Sequence, residues 1–489
     1  MLYQTWTFAL FFAVVYGVFL LVQGTRLKVP WLLVASYFFY ACSSPLFLLL
    51  LVWATVVDYL AVVGMSRTRW RRSWLAVSLL DGVFLLGFFK YAGFFVESVN
   101  ALLGRLGLPV AVVNPAELMR QYAVPAARHL GDWLAWLGVP QAVSADELLM
   151  SAGLSFFIFQ SLTYTIGFYR GQVAREPSFL NYAAFVAFFP KLLMGPIERA
   201  SDFLPQLRQS PKITRQDVAD GASLFVVGLF KKLALADYFA LYVAKVFDSP
   251  GQHHAPALLL ASVAYAWQIY FDFSGYTDMA RGVARLLGFR LMLNFNHPYL
   301  ATGLGDFWRR WHISLSTWFR DYVYIPLGGN RRGEVRTYVN MALTMVISGL
   351  WHGAAWTFVI WGALHAVYRV LTRRLESSRF YAERVPTFAK RLWVFALVTL
   401  AWIFFRAESV SDAWTIVARI FTSGWADPRC PVLVLVLIAC VWCYQAICES
   451  RLRWVVALAP VRIAMVVFMV LYLLIMPASG TQGFIYLQF

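Results

Sequence analysis

The stretch NMALTMVISGLWHGAAWTFVIWGALHAVYRV, Asn340–Val370, decides the fold. Two apolar runs, 337–350 and 354–370, flank Gly349-Leu350-Trp351-His352-Gly353, where glycine and a polar ring interrupt the hydrocarbon. Both outer flanks are basic: 289–336 carries Arg290, Arg309, Arg310, Arg320, Arg331, Arg332 and Arg336 against Asp306, Asp321 and Glu334, and 371–391 is basic too. Short loops rich in Lys and Arg stay on the cytoplasmic side of a membrane. The segment 337–370 is therefore predicted to enter the bilayer and return, with His352 at its turning point.

The rest of the chain fits that solvent. Its 489 residues are 60% hydrophobic and only 14% charged, and mean hydropathy is +0.63, far above what a soluble surface tolerates. At about 20 apolar residues per crossing, the runs predict an all-α polytopic protein of roughly 11–13 transmembrane helices, forming one membrane unit over 1–489. The first run, Trp6–Val22, follows an uncharged start without a cleavage pattern and reads as a retained span. Arg67, Arg69, Arg71 and Arg72 mark a cytoplasmic loop three spans later, which puts the N-terminus outside. Lys plus Arg total 42 against 25 acids, and because the bases sit in loops the excess reads as topology. Nucleic-acid binding is excluded on that pattern. Of five cysteines, four fall in or near apolar helices, which argues against a disulfide framework.

Two segments depart from simple spans. Residues 105–150, broken by Pro109, Pro115, Pro125 and Pro140, read as an external interfacial insertion. The runs 73–103 and 179–195 are predicted as a span with a partial return and as a span followed by a break. Pro190, Gly195 and Pro196 mark that break, and irregular backbone at membrane depth is tolerated only inside protein or beside a wet cavity.

The chemistry concentrates at His312 and His352, each bracketed by tryptophan at an interruption between apolar runs. An ionisable side chain in or beside a membrane is a functional hypothesis by default, and imidazole suits proton abstraction from a hydroxyl acceptor. A buried, hydrogen-bonded structural histidine is the competing reading for each. On one helix, Trp308, Trp311, Ser314 and Trp318 would share a face and wall an acyl tunnel. Arg309, Arg310 and Arg320 would then receive phosphates of a coenzyme A type donor, or else snorkel from an interfacial helix. His297, in Asn294-Phe295-Asn296-His297-Pro298, reads as a turn, while His129, His253 and His254 read as solvated. Asp272 and Asp278 lie in an apolar run and are predicted to pair with Arg281, Arg285 or another buried donor. No metal-ligand set, serine-nucleophile elbow or phosphate-binding loop occurs in the sequence.

FDFSGYTDMA (271–280), FWRRWHISLSTWFRDYVYIPLGG (307–329), SGLWHGAAWTFVIWG (348–362) and FFRAES (404–409) resemble, in order and spacing, the membrane-bound O-acyltransferase family, in its bacterial alginate O-acetylation branch. The resemblance implies a ring of helices whose cytoplasmic and external funnels meet at a catalytic histidine. It carries that role onto His352, with His312 the upstream motif histidine. The donor and acyl tunnel expected from the residues themselves would be lined from Trp308, Arg309, Arg310, Trp311, Ser314, Trp318, Arg320, Asp321, Trp351 and Trp356. The implied donor is acetyl-CoA or an acyl carrier, with no resident cofactor. The implied acceptor side is a periplasmic or extracellular acetyltransferase partner and a surface polysaccharide, with the protein in the bacterial inner membrane. D-alanyl or longer-acyl transfer, or solute transport, are the alternatives.

Overall fold

The computed structural model describes residues 1–42, 45–115, 121, 153–425, 431–475 and 483–485. Most of the predicted 105–150 insertion lies outside them, as do His129 and Cys430. Every regular element among the described residues is helical. The sequence reading treats 1–489 as one unit; the contacts group the chain into two, Met1–Ala222 with Ala280–Leu291, and Ser223–Met279 with Met292–Ile485.

Among the described residues, four helices are long and apolar enough to cross a bilayer by length and composition: Phe47–Arg67, Arg71–Arg105, Thr387–Arg406 and Val432–Glu449. Trp6–Val22 and Ala459–Ile475 are shorter apolar helices. The roughly 11–13 crossings expected at about 20 residues each also count shorter apolar runs, such as 337–350 and 354–370. The Ala255–Leu286 helix, among the others, carries acids met by side chains of neighbouring helices. Residues 71–105 are one continuous helical run with a π-helical turn at Gly87–Tyr91, so the partial return expected there does not occur.

In the first unit the predicted span 179–195 is two short helices, Phe179–Ala187 and Phe189–Leu192, parted at Phe188 with ψ of 107°. Residues 182–198 are all buried. The irregular backbone is met by side chains. Gln160 donates to the Glu198 carbonyl at 2.9 Å and accepts from the Glu198 N–H at 2.9 Å. Ser36 Oγ accepts the Phe189 N–H, and Tyr3 donates to the Pro190 carbonyl. With water excluded, each unmet backbone group would cost several kcal/mol, roughly.

The second unit is built on a helical hairpin, Gly333–His352 and Trp356–Glu376. A Cβ on Gly349 would collide with the Phe358 carbonyl, and one on Gly362 with the Met345 carbonyl. Small residues of this kind let helix backbones touch inside membranes. A second such contact, Gly228 against Gly275, brings the Lys231–Ala236 π-helical turn beside the Ala255–Leu286 helix. There Lys231 pairs with Asp278 at 2.6 Å, and Lys232 with both Asp272 and Asp237 at 2.8 Å. Asp272 also accepts the Ile485 N–H at 2.9 Å. Lys231 and Lys232, brought up by the glycine contact, are thus donors of the kind expected for the two acids. Arg285, one of the partners expected from sequence, pairs with Asp217 and Asp220 in the first unit.

Lys232→Met would strand Asp272 and Asp237 in a buried site, a change that costs about 3–5 kcal/mol. Thermal unfolding in detergent should show that loss, and adding Asp272→Asn with Asp237→Asn should recover much of it. An unchanged melting midpoint in Lys232→Met would show the cluster to be dispensable.

Candidate active site

The helix Leu304–Arg310 stops at Trp311, and a second helix, Ile313–Phe319, begins after His312. His312 has φ 42° and ψ 56°, a left-handed conformation that side-chain-bearing residues rarely adopt and that clusters at functional sites. The expected single helical face of Trp308, Trp311, Ser314 and Trp318 is therefore not formed. The cause is a clamp from Phe295 and its neighbours: the Ile313 N–H donates to the Asn294 carbonyl, and the Asn296 N–H to the Arg310 carbonyl, both at 2.9 Å.

Asn294 Oδ1 completes the clamp. It accepts from the Ser314 N–H at 3.2 Å and from Ser314 Oγ at 3.0 Å, and lies 3.1 Å from His312 Nδ1. Because the Ser314 N–H can only donate, the atom facing it is the carboxamide oxygen, and His312 Nδ1 must carry a proton to approach it. The lone pair of the neutral ring is then on Nε2. The ring stands edge-on to Phe273 at 4.6 Å and lies 6.2 Å from Trp351. His312 lies between two short helices, outside the apolar spans, and burial pushes its pKa down to about 3. It is neutral at physiological pH.

His352 is the last residue of its helix and is 3% exposed. Gly353 turns the chain in extended conformation, and a Cβ there would run into the Phe358 ring. Trp351 lies 4.9 Å from the His352 ring, Trp361 5.1 Å and Phe405 5.3 Å, between ring centroids. Trp351 thus contacts both histidines and separates them. Beyond Trp361, at 4.7 Å, stands His365, fully buried and 4.9 Å from Trp308. Neither ring nitrogen of His365 has a hydrogen-bond partner.

A cavity of about 420 Å³ opens next to this aromatic stack, lined by Trp308, Ser316, Phe319, Thr344 and Ser348 and by four arginines, Arg309, Arg320, Arg369 and Arg373. Thr344 and Ser348 are one turn apart, and His352 is the next residue on the same stripe. The cavity wall therefore leads along one helix face to the turn that carries the imidazole. Arg369 is held by Glu376 at 2.8 Å, and Arg373 lies over the Tyr338 ring.

Of the residues assigned to a tunnel from sequence, Trp308, Arg309 and Arg320 line this cavity. Asp321 holds Arg320 at 2.8 Å. The others lie elsewhere. Arg310 is tied to Asp306 and Glu449, Trp311 packs on Trp402, Ser314 belongs to the Asn294 clamp, Trp318 lies tilted against Tyr322, and Trp356 is 55% exposed. Asn294, His365, Arg369 and Arg373 were not singled out as site residues from sequence. Asn294 reads as a turn residue, and His365 stands in an apolar run with no local break to mark it. Arg369 and Arg373 carry a readable signal, a one-turn spacing beyond the His352 turn.

Residues 170–411 match the membrane-bound O-acyltransferase family. A probable alginate O-acetylase of Pseudomonas aeruginosa is 38% identical over 420 residues, 85% of this chain and 74% of the relative. The chain belongs to the membrane-bound O-acyltransferase family. A peptidoglycan O-acetyltransferase of Helicobacter pylori is 36% identical over 394 residues, 78% of this chain and 72% of its own. A teichoic acid D-alanyltransferase of Streptococcus thermophilus is 29% identical over 248 residues, 47% of this chain and 59% of its own. As a member of this family the chain is an O-acyltransferase of the membrane.

Burial of the neutral His312 ring makes stability depend on pH. Below its ordinary pKa of 6.5 His312 takes a proton in the unfolded chain, but in the fold it stays neutral to about pH 3. Acidification through that window therefore favours unfolding. His312→Asn, which tolerates the left-handed backbone, should flatten the pH dependence of the melting midpoint by one proton. Asn294→Leu should lower stability by about 1–3 kcal/mol through the stranded Ser314 N–H, and an unaltered midpoint would contradict the clamp.

Proposed function

We propose that this acyltransferase moves acetyl from a cytoplasmic thioester, acetyl-CoA or an acyl carrier, to a hydroxyl acceptor serving the O-acetylation of a cell-surface polysaccharide such as alginate. The observation that carries the reading is the placement of His352, at the turn of a hairpin and at the inner end of the arginine-lined stripe. Four arginines in one cavity lining suit a donor bearing phosphates. Trp308 and Phe319 of the same lining suit an uncharged arm.

In this mechanism the acceptor O–H gives its proton to the His352 imidazole as its oxygen attacks the thioester carbonyl. The tetrahedral intermediate collapses, the C–S bond breaks, and the imidazolium returns the proton to the departing thiolate. General base catalysis of this type contributes about 10²–10⁴-fold. His312, held neutral with its lone pair on Nε2, is a positioning residue behind Trp351. The acceptor stands on the opposite, external side, presented by a partner acetyltransferase, with the protein in the bacterial inner membrane. A peptidoglycan acceptor is the second reading, favoured by the 36% identity to the peptidoglycan enzyme. Transfer of D-alanine has the support of a 29% identical relative matched over 47% of this chain.

His352→Ala, at matched membrane levels, should abolish acetylation of the surface polymer, read as released acetate from purified polysaccharide and peptidoglycan. Which of the two loses acetate identifies the acceptor. Full acetylation of both in the variant would reject His352 as the base. Arg373→Ala should raise the donor KM about tenfold, the loss of one charge-assisted hydrogen bond, with kcat little changed.

A further inference from the structure

A second cavity, of about 500 Å³, lies away from both histidines of the active site, between the helices of residues 223–239, the Ala255–Leu286 helix and the last two apolar helices, Val432–Glu449 and Ala459–Ile475. Its walls are hydrocarbon: Val227, Phe230, Leu437, Val441, Met465 and Met469. The volume falls in the range of small-molecule sites, and nothing in the acyl-transfer mechanism uses it. The Ala459–Ile475 helix has no buried residue, so it closes the cavity without packing tightly on the unit.

One end of the cavity is polar. Arg462 lines it, on the segment that also carries exposed Arg451 and Arg453. Lys231 reaches the lining but is matched by Asp278. Two side chains of the lining have unmet hydrogen-bonding capacity: the Gln445 Oε1, on a residue 2% exposed, and His297 Nδ1. By the same charge rule that orients the rest of the chain, the arginine-bearing end is cytoplasmic.

We propose that this cavity binds an anionic phospholipid of the cytoplasmic leaflet, its acyl chain between Phe230, Val441 and Met465 and its phosphate at Arg462. Apolar walls alone would take any lipid tail. Arg462 in the lining, with Gln445 offering an acceptor to a headgroup hydroxyl, selects an anionic, hydroxylated head, and basic pockets between membrane helices bind such heads.

Cys440 lines the cavity, whereas Cys443 on the same helix does not. Delipidated full-length protein in detergent would be titrated with palmitoyl-oleoyl phosphatidylglycerol or with the matching phosphatidylcholine. The rate of N-ethylmaleimide addition to each cysteine would be read by peptide mass spectrometry. Phosphatidylglycerol should slow Cys440 and leave Cys443 unchanged, with phosphatidylcholine much weaker. Arg462→Glu should cut the preference about fivefold or more, the worth of one juxtamembrane charge. Equal Cys440 rates with and without phosphatidylglycerol would overturn the site, and equal protection by both lipids would overturn the selection of an anionic head. The wild-type titration decides the matter even if the variant fails to fold.

Discussion

Two helices that touch backbone to backbone hold the candidate active site together. Gly349 meets the Phe358 carbonyl and Gly362 the Met345 carbonyl, with no space for a Cβ at either. The hairpin therefore turns within the three residues between His352 and Trp356, and the imidazole is fixed at its end among Trp351, Trp361 and Phe405. Wider spacing would admit side chains between the helices and let His352 move. Catalytic geometry tolerates errors of only about 0.5 Å before rate is lost, so in the proposed reaction the glycines of the hairpin would act by fixing the place of His352.

The same economy governs polar groups elsewhere. Charges inside a membrane protein are tolerated when paired, and here a glycine contact brings Lys231 and Lys232 to Asp278, Asp272 and Asp237. Broken backbone is tolerated when side chains satisfy it, as Gln160 does for Glu198. At His312 the break has a further product. The clamp that stops the helix also sets the tautomer of the ring, because one carboxamide oxygen serves both Ser314 and His312.

Much of this was legible in the sequence. The apolar runs and the interrupted Asn340–Val370 stretch predict a helical membrane protein with a hairpin turning near His352, and Gly333–His352 and Trp356–Glu376 form that hairpin. The helix-face reading of Trp308 to Trp318 fails because periodicity cannot register a single left-handed residue imposed by a distant Asn294. The partners of Asp272 and Asp278 were unreadable for a related reason: they depend on which helices approach at Gly228 and Gly275. His365 escaped notice because a histidine inside an unbroken apolar run carries no local mark, and only the packing reveals its place between Trp361 and Trp308.

The central claim is that the arginine-lined cavity is the donor path and that its Thr344–Ser348 stripe leads to His352. Ser348→Cys, with the native cysteines replaced and the protein reconstituted in sealed vesicles, tests it directly. A bulky impermeant thiol reagent applied from the cytoplasmic face should label the new cysteine and stop acyl transfer, and acetyl-CoA should protect against both effects. Labelling from the opposite face alone, or labelling that leaves transfer at its full rate, would contradict the account.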